Sequence, residues 1–175
     1  MTGRKPAGTG LWLDVSLEEQ QLRVMDSTDQ CLRVYPVSTA RVGADQRRDS
    51  GGTPLGWHCI RARIGDGLPP GAVLRGRRPT GEICDDAVYR QNPRRDWILT
   101  RILWLSGLEP GFNRLGGVDT FRRYIYIHGT PDAVRLGVPD SKGCIRMANA
   151  AVVELFDRVR SGTPVLIRNG SGAAP

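Results

Sequence analysis

Tyr124-Ile125-Tyr126-Ile127-His128-Gly129-Thr130, followed closely by Ser141-Lys142-Gly143-Cys144-Ile145-Arg146-Met147, decides how this chain reads. The first segment is aromatic and β-branched, as strands are, and delivers His128 at a strand end beside Gly129-Thr130-Pro131, where a side chain can face a cleft. The second sets Cys144 directly after a glycine and places an arginine two residues further on. Together they supply a thiol, a candidate base, backbone amides able to approach a reacting carbonyl, and a fixed cation. Those are the parts of a cysteine acyl-transfer site.

Outward from that pair, Trp97-Ile98-Leu99-Thr100-Arg101-Ile102-Leu103-Trp104-Leu105 is apolar and β-prone, and with the His128 segment it predicts the centre of a sheet. Leu11–Val15, Gln21–Met25 and Cys31–Val37 are short β-prone segments divided by polar turns, which predicts an antiparallel meander. Gly51-Gly52-Thr53-Pro54-Leu55-Gly56 is turn-rich and leads to a strand over 57–64. Gly65 to Arg78 is rich in Gly, Pro and Arg and reads as a long surface loop, with a cover over the cleft or a plain connection as its two roles. After Cys144, Asn149 is the expected helix cap. Val152, Phe156 and Val159 share one helical face, Gly162 stops the helix, and 163–168 forms a last strand. The fold class is mainly β, with residues 1–10 as an arm, 11–168 as one domain and 169–175 as a tail.

The chain has 175 residues and a formal charge of +7, with a sequence pI near 9.8. A basic balance can signal nucleic acid, but the charge is scattered arginine without an RNA-binding aromatic signature, finger or basic helix, so no nucleic-acid partner is expected. No apolar run reaches the roughly 18–20 residues a membrane helix needs. Arg4 and Lys5 lead into Pro6-Ala7-Gly8-Thr9-Gly10, unlike a secretory leader, and the expected setting is cytoplasmic, or periplasmic if the start is truncated. Cys31, Cys59, Cys84 and Cys144 read as free thiols. With His58 and His128 the only histidines, a zinc site is not expected. His58 and Cys59 are adjacent in a strand, where alternation sends them to opposite faces, so they read as structural.

The chemistry rests on the loop between His128 and Cys144 folding back. A free thiol has a pKa near 8.5, so an imidazole that stabilises the thiolate, and later protonates a leaving amine, makes it an effective nucleophile. Gly143 keeps the backbone open, and the Gly143 and Cys144 amides are candidate oxyanion donors. Arg146 offers a planar fork for a carboxylate. Taken singly, a cysteine is more often a small buried hydrophobe and a histidine a satisfied structural residue. Their spacing, with Gly143 and Arg146, favours the catalytic reading.

On His128-Gly129-Thr130 and Ser141-x-Gly143-Cys144-Ile145-Arg146-Met147, supported by Tyr35-Pro36-Val37-Ser38-Thr39 and Thr53-Pro54-x-Gly56, the chain resembles the L,D-transpeptidases with a YkuD-type catalytic domain, over roughly residues 11 to 168. The resemblance implies a β-sandwich-like fold with a cleft and a short helix after the nucleophile. It implies a Cys144 nucleophile, a His128 base oriented by the Gly129 carbonyl, and no cofactor. Peptidoglycan stem peptides are the implied substrate, with Arg146, Lys142, Ser141 and Tyr126 as substrate contacts. Lys142 stands where the family often has histidine, two positions before the nucleophile. The expected activity is release of terminal D-Ala through an acyl-enzyme, with L,D-carboxypeptidase action in murein recycling favoured, a cross-linking transpeptidase as its rival, and a non-catalytic peptide-binding module as the alternative of another class. Oligomeric state is left open.

Overall fold

A computed structural model describes residues 5–6 and 10–170. In chain order its elements are β1 (Trp12–Ser16), β2 (Gln21–Met25), β3 (Cys31–Pro36), β4 (Gly56–Ile64), β5 (Ala72–Arg75), β6 (Arg78–Ile83), α1 (Asp86–Gln91), β7 (Leu99–Gly107), β8 (Tyr126–Thr130), β9 (Ile145–Ala148), α2 (Asn149–Arg158) and β10 (Pro164–Arg168). The strands join one curled sheet in the order β3-β2-β1-β10-β4-β7-β5-β6, from which β8 and then β9 branch off β7. β1 to β3 form the predicted antiparallel meander. β7 pairs with β4, β5 and β8 and is the centre the apolar 97–105 run predicts.

Alternation explains both faces of the site-bearing strands. Ile125, Ile127, Ile145 and Met147 enter the main core with Leu103, Leu105, Val152, Leu155 and Phe156. The intervening residues of β8 and β9 point the other way. α2 lies against β7, β8 and β9, burying Val152, Leu155 and Phe156. Asp14, the one charge in the first apolar strand, is held by Arg168 at 2.7 Å through both carboxylate oxygens and by Arg23 at 3.4 Å, so the buried carboxylate is paired.

Four expectations need correction. The 65–78 segment is not a loop throughout: Ala72, Val73 and Leu74 are buried in β5, Val73 pairs with Leu99, and Leu74 N–H donates to Ile98 O at 2.9 Å. Three consecutive apolar residues outweigh the flanking Gly and Pro because sheet and core take them up together. Asn149 is the first residue of α2, not its cap; Ala148 is the cap, and the Asn149 amide is used sideways, accepting from Thr100 Oγ1 at 2.5 Å and donating to Asp132 Oδ1 at 3.2 Å. α2 ends at Arg158 with Val159 as its C-cap, before Gly162, whose N–H instead reaches Ile60 O. β8 runs through Thr130, so His128 sits inside the strand and is 1% exposed.

α1 had no sequence signal, because its six residues carry no apolar stripe; Asp85 caps it by accepting from Val88 N–H at 2.8 Å. Most of the 1–10 arm and 169–175 tail lies outside the described residues. Lys5, within that arm, pairs with Asp29 and lies 4.7 Å from the Trp12 ring centre. Among the described residues no helix is long and apolar enough to cross a membrane.

Candidate active site

β8 and β9 run parallel, with His128 opposite Arg146 and Ile127 opposite Ile145. Continuing that register sets Tyr126 beside Cys144, so Tyr126, His128, Cys144 and Arg146 share the face turned away from the main core. Tyr126 and Cys144 belong to a second cluster with Leu74, Ile102 and Trp104. Diagonal neighbours across two paired strands stand roughly 7–8 Å apart at the backbone, within reach of an imidazole and a thiol. The loop between them returns the chain so that β9 lies parallel beside β8.

His128 Nδ1 lies 2.7 Å from Gly129 O. A carbonyl can only accept, so Nδ1 carries the proton and Nε2 is left with its lone pair. Burial drives the imidazole pKa down to about 4, against a smaller opposing effect of the Gly129 bond. The partly exposed Cys144 is pushed up to about 12 by desolvation of its sulfur, although Tyr126 N–H donates to Sγ at 3.3 Å. Its own S–H donates to Tyr124 O at 3.4 Å. Burial thus favours the neutral form of each group, against the thiolate stabilisation by the imidazole that the sequence leads one to expect.

The turn before Cys144 is built by its own side chains and by distant segments. Ser141 Oγ donates to Cys144 O at 2.5 Å and accepts from Gly143 N–H at 3.2 Å, so this hydroxyl is engaged inside the turn. The Gly143 amide, one of the two expected oxyanion donors, is thus already engaged by Ser141. Gly143 has φ +124°, and a Cβ there would come within 3.2 Å of Gly52 O. Thr53 Oγ1 donates to Gly143 O at 2.9 Å and accepts from Ala40 N–H at 3.0 Å. Ser38 exchanges both backbone bonds with Arg146, and Thr39 O accepts from Asp140 and Ser141. Ser38, Thr39 and Thr53, from two upstream segments, thus hold the stretch that carries Cys144, a role that short-range spacing does not reveal.

Arg146 points into a cavity of about 670 Å³ that Ser141, Lys142, Asp140, Asp96 and Thr130 also line. Its guanidinium lies 3.4 Å from Asp140 and 3.9 Å from Asp96. Asp140 also pairs with Arg41, whose hydrogen bond, with Arg146 behind it, keeps that carboxyl below its ordinary range. A second cavity of about 680 Å³ lies on the Tyr124 side, lined by Arg48, Arg122, Arg123 and Lys142. Exposed Lys142 borders both. Tyr126 is buried against Trp104 at 5.6 Å in an edge-on contact. Arg77, at the β5–β6 turn, stacks 4.9 Å from the Trp104 ring centre and 5.0 Å from that of Tyr124. His58 lies apart in β4, fully buried between Gly56 O at 2.9 Å and Thr120 Oγ1 at 3.1 Å, the structural role expected for it.

The fold is similar to that of several solved L,D-transpeptidases. One from Mycobacterium smegmatis matches with a TM-score of 0.53 at 18% identity, over 92% of this chain and 59% of that one. L,D-transpeptidase 3 from Mycobacterium tuberculosis, in complex with a faropenem-derived adduct, gives 0.56 at 17% over 93% and 61%. The L,D-transpeptidase from Xylanimonas cellulosilytica gives 0.51 at 17% over 94% and 63%. The chain thus spans about three-fifths of the length of these structures. No curated protein sequence matches it significantly. The model of the YkuD family, described as the L,D-transpeptidase catalytic domain, matches residues 10–167, nearly the whole chain, and the chain belongs to that family.

Proposed function

We propose that this chain is a peptidoglycan stem-peptide L,D-acyltransferase working through a thioester on Cys144. The observation that carries the reading is the face shared by His128 and Cys144, with Nδ1 committed to Gly129 O so that Nε2 is the free base. As sulfur attacks the carbonyl carbon of the diamino acid at stem position three, its proton passes to Nε2 and the Cys144 amide receives the developing oxyanion. Collapse breaks the C–N bond, and His128 returns the proton to the departing amine of D-Ala. Arg146 and Lys142 supply positive charge for the carboxylates of the stem.

Water completes an L,D-carboxypeptidase cycle, the branch suited to recycled muropeptides in the cytoplasm. An amine from a second stem completes a cross-link instead, and the 680 Å³ cavity lined by Tyr124 and Lys142, close in sequence or in space to Cys144, supports this second reading as room for an acceptor. Incubating the protein with a disaccharide-tetrapeptide and following mass separates the two: loss of D-Ala alone marks hydrolysis, and dimers joined through diamino acids mark transpeptidation. Full turnover by Cys144→Ala refutes both. Faropenem is a second probe, expected to add its mass at Cys144.

A further inference from the structure

Arg123 stands at the start of the His128 segment, is half-buried, and has no role in the chemistry described above. Its guanidinium donates to Gly52 O at 2.7 Å, Asp45 O at 2.9 Å and Ser50 Oγ at 3.3 Å, so one side chain clamps the 45–52 strap. Gly52 O in turn abuts Gly143, at 3.2 Å from where a Cβ would stand, and residue 143 precedes the nucleophile. On the other side, the carbonyl of Tyr124, the residue after Arg123, accepts the Cys144 thiol. The two backbone segments that flank the sulfur therefore meet through Arg123 and Gly52.

We infer that Arg123 is a positioning residue of the nucleophile: it locks Gly52 against Gly143, and its positive charge sits on that clamp, behind the segment that carries the sulfur, for the moment that sulfur becomes negative. The inference rests on Cys144 being the nucleophile. What distinguishes Arg123 from Arg146, the other cation near the sulfur, is its choice of partners. Arg146 faces Asp140 and Asp96, whose carboxylates offset its charge. The hydrogen bonds of Arg123 go to two carbonyls and a hydroxyl, which consume donors without cancelling charge. The charged and titratable groups acting on the sulfur are Tyr126 on β8, Arg123 before it, Arg146 on β9 and Asp96 before β7, with His128 on the same face of β8, while Asp45 and Asp49 act on Arg123 itself. Burial holds the Arg123 pKa below its usual value, while Asp45, then Cys144, pull it back up.

Thiol reactivity tests this without any peptide. Cys144 is alkylated with iodoacetamide across a pH series, and the modified peptide is quantified by mass so that Cys31, Cys59 and Cys84 do not interfere. Arg123→Gln keeps a donor for Gly52 O but removes the charge, while Arg123→Lys keeps the charge. The expected result is a Gln profile displaced to higher pH by about one unit, or about tenfold slower alkylation at fixed pH, with Lys staying within about threefold of wild type. Profiles unchanged in both variants, or displaced equally in both, overturn the inference. Should Arg123→Gln fail to fold, Arg123→Met takes its place as the neutral variant: a displaced Met profile beside a wild-type Lys profile sustains the inference, and equal profiles in the two overturn it. Tetrapeptide turnover surviving in Cys144→Ala would defeat the proposed function by a separate route, since alkylation does not measure turnover.

Discussion

Thr53 Oγ1 donates to the carbonyl of Gly143, 90 residues away in sequence, while accepting from Ala40 N–H. One buried hydroxyl thus ties the 40–53 segment to the turn that presents Cys144. Thr53→Val keeps the shape and leaves both backbone groups unpaired, which is expected to cost about 1–3 kcal/mol. Chemical denaturation checks the loss. D-Ala release should fall as well, more through kcat than KM, because the turn is displaced and not the cleft.

Gly129 has no room for a side chain: a Cβ there would lie 2.6 Å from both Leu99 O and Asn149 Oδ1. Gly129→Ala is expected to destabilise by about 1–3 kcal/mol through overpacking. It also shifts the carbonyl that fixes the His128 tautomer, so turnover should drop further than stability explains. Thermal melts and turnover, compared in the same preparation, separate the two effects.

Both histidines are buried and neutral, each with its pKa lowered to about 4 by desolvation. The unfolded chain binds these protons near pH 6.5 and the folded chain does not, so stability is fully present above about 6.5 and declines as pH falls toward 4. The decline is on the order of 3 kcal/mol for each histidine. His58→Phe should remove roughly half of this slope in denaturation curves taken between those limits. D-Ala release should keep its acid limb near pH 4, where Nε2 becomes protonated, and an acid limb at 6.5 would contradict the buried base.

Leu74 is 3% exposed and shares its cluster with Ile102, Tyr126 and Cys144. Leu74→Ala is expected to cost about 2–5 kcal/mol, the range for truncating a buried leucine. Deleting the segment should unfold the domain, not merely slow it. A melt that barely moves would mean that β5 is a detachable cover after all.

Lys142 is exposed at the junction of the two cavities. Lys142→His should leave the melting temperature unchanged and alter the balance between water and amine acceptors, read as the ratio of shortened stem to dimer. An equal ratio in both proteins would remove Lys142 from acceptor choice.

Residues that act on near neighbours were legible in the sequence. Period-two alternation in 125–128 set His128 and Ile127 on opposite faces, and the contiguous Ser141–Met147 run carried Cys144, the proposed nucleophile, with its glycine and its arginine. That is why the mainly β fold and the family could be read from residue order alone. Tertiary structure decided the rest. Thr53 meets Gly143, Arg123 meets Gly52, and Asn149 turns from the expected cap into a tie between Thr100 and Asp132, because strand register joins segments far apart in the chain and leaves no local periodicity to read. The lowered imidazole and raised thiol pKa values belong there too, since both come from desolvation, and desolvation exists only once the sheet has curled and brought distant segments around them.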